Sequence, residues 1–135
     1  MRYRLDTNIF SDMIRKPAWR AARRAAGRAR AASESICTSV IVAAELRHGC
    51  AKKGSPRLLR RVEDFLSEVP VLPFDVPADH ECGAIRAELE AAGRPIGSND
   101  LLIAAHARAL AATVVTANVG EFRRVPGMNV ENWLE

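Results

Sequence analysis

Apolar residues fall along this chain in two kinds of stretch: brief β-branched runs of strand length, and longer segments where they return every three or four positions. Residues 2–6 predict a short strand. Asp6-Thr7-Asn8 then supplies capping side chains for a helix carrying Ile9, Phe10, Met13 and Ile14 and ended by Pro17. From Ala18 to Ala32 alanine and arginine favour helix, with Trp19, Ala22, Ala26 and Ala29 on one face and Arg20, Arg23, Arg24 and Arg28 largely on the other. SICTSV (35–40) predicts a buried strand, a helix starts at Ser39, and VIVAAELRHG brings Gly49 near that helix's end. There follow a helix over 56–68, a proline-limited or edge strand over 69–74, a helix over 78–92 and the connection AAGRPIG. A helix over 98–110 capped by Ser98 or Asn99, a strand over 113–116 and a short strand within MNVENWL complete the series.

Strands alternating with helices predict an α/β fold: a central parallel β-sheet flanked by helices on both faces. The chain has 135 residues, no repeat and no linker-like tract, so one domain over 1–135 is expected. In open parallel sheets ligands gather outside the carboxyl ends of the strands, which directs attention to the acids there. Asp6 ends the first strand, Asn118 and Glu121 follow the strand that ends at Thr116, and Asp100 opens the helix before it. Glu45 lies within a helix beside Ile41 and Ala44, where a carboxylate needs solvent or a cation.

Each acid has a plainer explanation: Asp6 as a helix cap, Asp100 as a complement to its helix dipole, Glu45 and Glu121 as exposed residues, with His106 structural. Taken together they describe a definite chemistry. Carboxylates converging on one strand edge repel one another unless a divalent cation neutralises them, and hard oxygen donors select Mg²⁺ or Mn²⁺ over zinc. Such a cation activates water and stabilises displacement at phosphorus.

Charge strengthens this picture. Net charge is +4, yet residues 1–61 carry 15 Lys or Arg against 4 Asp or Glu, and residues 62–135 carry 5 against 12. A basic half is the footprint of a polyanionic partner, with a solvated helix face as the alternative. Basic half and acidic edge together indicate a metal-dependent nuclease. The cysteines Cys37, Cys50 and Cys82 are odd in number and form no Cys-x-x-Cys pair, so free thiols are expected, and His48 with Cys50 is a weak zinc signal. No apolar run is long enough to cross a membrane and the start lacks a secretory pattern, which places the expected location in the cytoplasm.

Four motifs, LDTNIF, VIVAAELRHG, RPIGSNDLLIAAHA and VVTANVGEFRRVPGMNVENW, occur in the order that resembles the PIN-domain ribonuclease toxins of the VapC type, over essentially the whole chain. The resemblance implies a PIN-like α/β nuclease domain and a toxic Mg²⁺-dependent endoribonuclease, with Mn²⁺ able to substitute, which cuts tRNA or other structured RNA of translation. By motif, Asp6 and Asp100 are the principal metal ligands and Glu45 the third acid. Asn118 stands where many relatives carry an aspartate and can offer only a carbonyl oxygen, so the fourth position falls to Asn118 or, through water, to the Glu121 carboxylate, and one firmly held ion is expected. Arg20, Arg24, Arg28, Arg47, Lys52 and Lys53 are the RNA-binding candidates. The resemblance also implies a cognate VapB-like antitoxin and a homodimer within a larger toxin–antitoxin complex, with no membrane involvement. Two other readings compete: a non-catalytic nucleic-acid-binding module using the Arg-rich helices, and an aspartyl-phosphate enzyme, for which Asn8 stands where a second Asp is usual.

Overall fold

A computed structural model of the protein describes residues 2–18, 20–30 and 35–135, without the side chains of 29 and 30. The elements run β1 (Arg2–Leu5), α1 (Thr7–Arg15), α2 (Arg20–Arg30), β2 (Ser35–Ser39), α3 (Val40–Lys53) and α4 (Pro56–Glu68). They continue with β3 (Val71–Leu72), α5 (Ala78–Ala91), α6 (Ser98–Ala109), β4 (Thr113–Val115), α7 (Val119–Phe122) and β5 (Val130–Glu131). Every described strand pairing is parallel and the order is β3-β2-β1-β4-β5. This is the α/β architecture, with a parallel sheet between two helical layers, that the alternation predicts.

The order explains where a site can form. From β1 the chain winds outward through β2 to β3, then crosses back to pair β4 against the other side of β1. Right-handed crossovers in opposite directions put their helices on opposite faces. Helices α1 to α4 accordingly pack among themselves, and α5 packs on α6 and α6 on α7. The crevice between the carboxyl ends of β1 and β4 is the switch point.

Alternation along β1 sends Tyr3 and Leu5 into the core shared with Ile9, Phe10 and Trp133, while Arg4 faces the opposite layer and meets His106 of α6. Tyr3 packs on Trp133 with ring centroids 5.4 Å apart, and the Arg28 guanidinium lies 5.0 Å from the Tyr3 ring centre. Full burial of side chains such as Ile9 or Phe10 contributes about 1.5–3 kcal/mol each before entropy is counted.

Four local expectations change. Gly49 lies inside α3, which runs on to Lys53 because Cys50 is buried against the core; the left-handed stop is Gly54, with φ +63°. The cap of α6 is Gly97, without a side-chain capping bond, so Ser98 and Asn99 belong to its first turn. Prolines 70 and 73 confine β3 to two residues at the sheet edge. In α2 the buried stripe is Ala21 and Ala25, with Ala26 exposed, because alanines in adjacent positions offer two possible stripes and composition alone does not choose. Trp19, the Ala29 side chain and the helix end at Ala32 lie outside the described residues. Among the described residues, no helix is long and apolar enough to cross a membrane.

Candidate active site

Asp6 leaves β1 as the N-cap of α1. Its Oδ1 accepts the Thr7 backbone N–H at 2.8 Å, and its Oδ2 accepts the Thr116 hydroxyl at 2.9 Å and the Asn8 amide at 3.4 Å. The side chain is therefore a cap, as the plainer reading has it, and also part of a bridge from β1 to the end of β4. Asn8 completes that bridge, accepting the Ala117 backbone N–H at 2.9 Å. Asp6 is only 4% exposed, yet each carboxylate oxygen offers two acceptor positions, and Oδ1 uses one.

Asp100, in the first turn of α6, reaches the same edge. The Asn118 amide donates to Asp100 Oδ2 at 2.8 Å and to Glu121 Oε2 at 3.2 Å, holding the two carboxyl groups beside one another. Burial first, then Glu121 and Asp6, push the Asp100 pKa up to about 7, against the Asn118 amide, which pulls it down. Glu121 is held low, chiefly by the hydrogen bond from Asp100. Glu121 sits on α7, a four-residue helix too short to leave a periodic trace in sequence.

Glu45 approaches from α3. Its Oε1 is buried without a hydrogen-bond partner, as is the Thr7 hydroxyl. Burial and then the charge of Asp6 raise the Glu45 pKa, while Thr7 and Arg4 draw it back without completing a bond to Oε1. Glu45 also opens onto a groove of about 370 Å³ between α1, α3 and α4, where Arg15 and Lys53 line the wall.

Arg4 is the residue that sequence reasoning missed. In the central strand, between Cys37 of β2 and Val114 of β4, it is 0% exposed. Its Nε donates to His106 Nδ1 at 3.2 Å and its Nη2 to the Ser39 hydroxyl, while Nη1 is buried without a partner. Burial lowers its pKa to about 10, opposed by Asp6, Cys37 and Glu45, so it stays charged at neutral pH. His106 is correspondingly neutral: burial and the Arg4 charge push its pKa down to about 4, with the Pro73 carbonyl pulling the other way. An arginine two residues before the key aspartate was the available signal, hidden among the 15 cations of the basic half.

The six RNA-binding candidates divide into two groups. Arg24 donates to the Asn132 and Glu135 carbonyls, Arg28 lies over Tyr3 and 4.0 Å from Glu131, and Arg47 forms a two-bond pair with Glu63 at 2.8 and 2.9 Å. Arg20, Lys52 and Lys53 are exposed, the two lysines in the last turn of α3. His48 and Cys50 lie two apart on α3, on opposite sides, and Cys50 is buried.

The donors at the edge are all hard oxygens, carry surplus negative charge, and include an orphaned carboxylate oxygen at Glu45. That set fits a magnesium-like ion and is unsuited to zinc. Among the described residues no three His, Cys, Asp or Glu side chains form a closed ligand cluster, so such an ion would rely on one or two carboxylates and water, the mode characteristic of magnesium.

A family model described as "PIN domain" matches residues 3–128. The chain is 38% identical over 135 residues to the tRNA(fMet)-specific endonuclease VapC of Shigella flexneri, covering 98% of each protein. It is 42% identical over 104 residues to ribonuclease VapC2 of Rickettsia felis, covering 76% of this chain and 78% of that one. Among solved structures, a chain in VapBC2 from Rickettsia felis bound to a DNA fragment from its promoter superposes with a TM-score of 0.90 at 38% identity, over 98% of this chain and 99% of the other. A chain in DNA-bound VapBC from Salmonella typhimurium gives a TM-score of 0.86 at 36% identity, over 98% of each.

Proposed function

We infer, from the premise that this chain belongs to the PIN-domain family of VapC ribonucleases, that it is a metal-dependent endoribonuclease and the toxin of a toxin–antitoxin pair. The observation that carries the reading is the meeting of Asp6, Asp100, Asn118 and Glu121 where β1 and β4 end, with Glu45 within electrostatic reach of Asp6. Asp6 and Asp100 would hold the ion, Mg²⁺ or Mn²⁺, with Glu121 as the supporting carboxylate. A bound ion of this kind acidifies water and offsets charge on the phosphate. Glu45, whose pKa is raised by burial, orients the attacking water and takes its proton, as a general base with elevated pKa does best near neutral pH. Asn118 keeps Asp100 and Glu121 from separating. Arg20, Lys52 and Lys53 hold RNA phosphates, with Arg15 and Lys53 flanking the approach to Glu45.

The substrate class that this reading favours is tRNA or other structured RNA of translation in the cytoplasm, following the relative named for cleavage of tRNA(fMet). A VapB-like antitoxin is the partner, and a toxin homodimer within a larger complex is the assembly. The whole chain serves as one nuclease domain. The test is RNA cleavage by antitoxin-free protein carrying Asp6→Asn or Asp100→Asn, with folding checked by circular dichroism. Cleavage at the parental rate by either folded variant rules out the assignment, and RNA binding without cleavage by the parent supports a binding module instead.

A further inference from the structure

A buried arginine is an expensive choice in the central strand of a sheet. Its charge pays a desolvation penalty, and an apolar side chain of similar volume often serves stability as well or better. Arg4 makes no ion pair among the described residues: its partners are the neutral His106 ring and the Ser39 hydroxyl, and one of its nitrogens is unpartnered. Its charge is therefore not consumed by a neighbour: Asp6 follows two positions on in the same extended run, which puts the two side chains on one side of the strand, and Asp6, then the Cys37 thiol, then Glu45 favour the charge.

Its connections have a pattern. Arg4 lies on the strand that ends at Asp6. Ser39, to which it donates, is the N-cap of α3 and accepts the Val42 backbone N–H at 3.3 Å, fixing the start of the helix that carries Glu45. His106 is on α6, the helix that carries Asp100. One guanidinium thus joins the three elements that bear the three principal acids.

We propose that Arg4 is the resident counter-cation of this site: a fixed positive charge, tied to all three acid-bearing elements, that offsets their carboxylates before a divalent ion arrives and therefore competes with that ion. It is a positioning residue and touches no reacting atom. The inference rests on the reading that Asp6 and Asp100 hold a divalent ion. Because coupling between a fixed charge and a bound ion is reciprocal, removing the charge raises the affinity of the site for the ion.

The experiment is a Mn²⁺ titration of the full chain, followed by electron paramagnetic resonance of free Mn²⁺, with thermal melting with and without Mn²⁺. Arg4→Met, which keeps the bulk and loses the charge, is expected to bind Mn²⁺ more tightly, on the order of tenfold, and to gain more in Tm from Mn²⁺ than the parent does. Arg4→Lys, which keeps the charge, is expected to bind Mn²⁺ as the parent does. If Arg4→Met does not fold, Arg4→Gln, which keeps an amide donor for Ser39, carries the same comparison. Unchanged or weaker Mn²⁺ binding in the charge-removed variant overturns the proposal, as does Arg4→Lys behaving like Arg4→Met. Loss of Tm by the same amount with and without Mn²⁺ also overturns it, since a merely structural arginine acts that way. If the parent itself binds no Mn²⁺, it is the reading of the site that fails.

Discussion

Replacing Asn118 by aspartate puts a third carboxylate where an amide now holds two others together. The amide donates at 2.8 Å to Asp100 and at 3.2 Å to Glu121, so Asn118→Asp removes both bonds and sets a negative charge roughly 3–4 Å from each neighbour. Two charges at 4 Å in water-like surroundings repel by about 1 kcal/mol. Asn118 is exposed, so screening keeps each of the two new pairs at or below that figure, and the total cost is about 1–2 kcal/mol. For a chain of this length that is a fall in Tm of roughly 3–8 °C.

The penalty depends on pH in a defined direction. Asp100 already has its pKa pushed up to about 7, so below pH 7 the cluster relieves itself by binding a proton. A carboxyl group with a raised folded pKa costs stability as pH rises through that pKa, and extra repulsion extends the cost upward. Metal-free Asn118→Asp is thus expected to melt below the parent at pH 8 and close to it at pH 6. Added Mg²⁺ should reverse the order at pH 8, because a further carboxylate strengthens the site for a hard cation. Differential scanning fluorimetry at the two pH values, with and without Mg²⁺, checks all of this. Equal melting temperatures at pH 8 without metal, together with unchanged Mg²⁺ response, would refute the junction that Asn118 is argued to form.

Glu45→Gln is expected to retain Mn²⁺ binding and lose about 10²–10⁴ in single-turnover RNA cleavage, the usual contribution of a general base; retained turnover removes Glu45 from the reaction. The neutral His106, with its pKa lowered to about 4, contributes stability that is complete above its unfolded value of about 6.5 and is lost as pH falls toward 4. Urea unfolding should accordingly show the parent weakening by roughly 1–2 kcal/mol more than His106→Gln between pH 7 and pH 5, and parallel pH profiles would exclude the effect. Lys52→Ala with Lys53→Ala should reduce the slope of log affinity for RNA against log salt by about 1–2; an unchanged slope in filter binding would take both lysines out of the RNA path.

Much of this fold is legible because its signals are local and redundant. Asp6-Thr7-Asn8 and Pro17 bracket α1, Pro56 opens α4, and β-branched runs mark β2 and β4. The acids of the candidate edge are legible too, since strand ends can be found from pattern and the switch point follows from strand order. What pattern does not carry is the identity of the partners. The bond from Thr116 to Asp6 joins residues 110 apart, and the Arg4–His106 bond joins residues 102 apart. Nothing in the chain near Arg4 marks it as buried, because its neighbours Tyr3 and Leu5 alternate with it as they would with a solvent-facing residue. The stop at Gly54 instead of Gly49 was hidden for a related reason: either glycine can end a helix, and the burial of Cys50, a tertiary fact, decides between them.

The same point bears on the basic half. A count of charges assigns 15 cations to one polyanion, but Arg4 lies wholly inside the protein, Arg24 holds the C-terminal carbonyls, Arg47 is spent on Glu63, and Arg28 stacks on Tyr3 near Glu131. The charge available to a phosphate backbone is therefore smaller than the sequence suggests and is more narrowly placed. Arg15 and Lys53 line the groove onto which Glu45 opens, so a strand held by them would run past the acid argued to activate water. Substrate affinity and the positioning of the acids then draw on different cations: exposed ones bind the substrate, and the buried Arg4 ties together the elements that carry the acids.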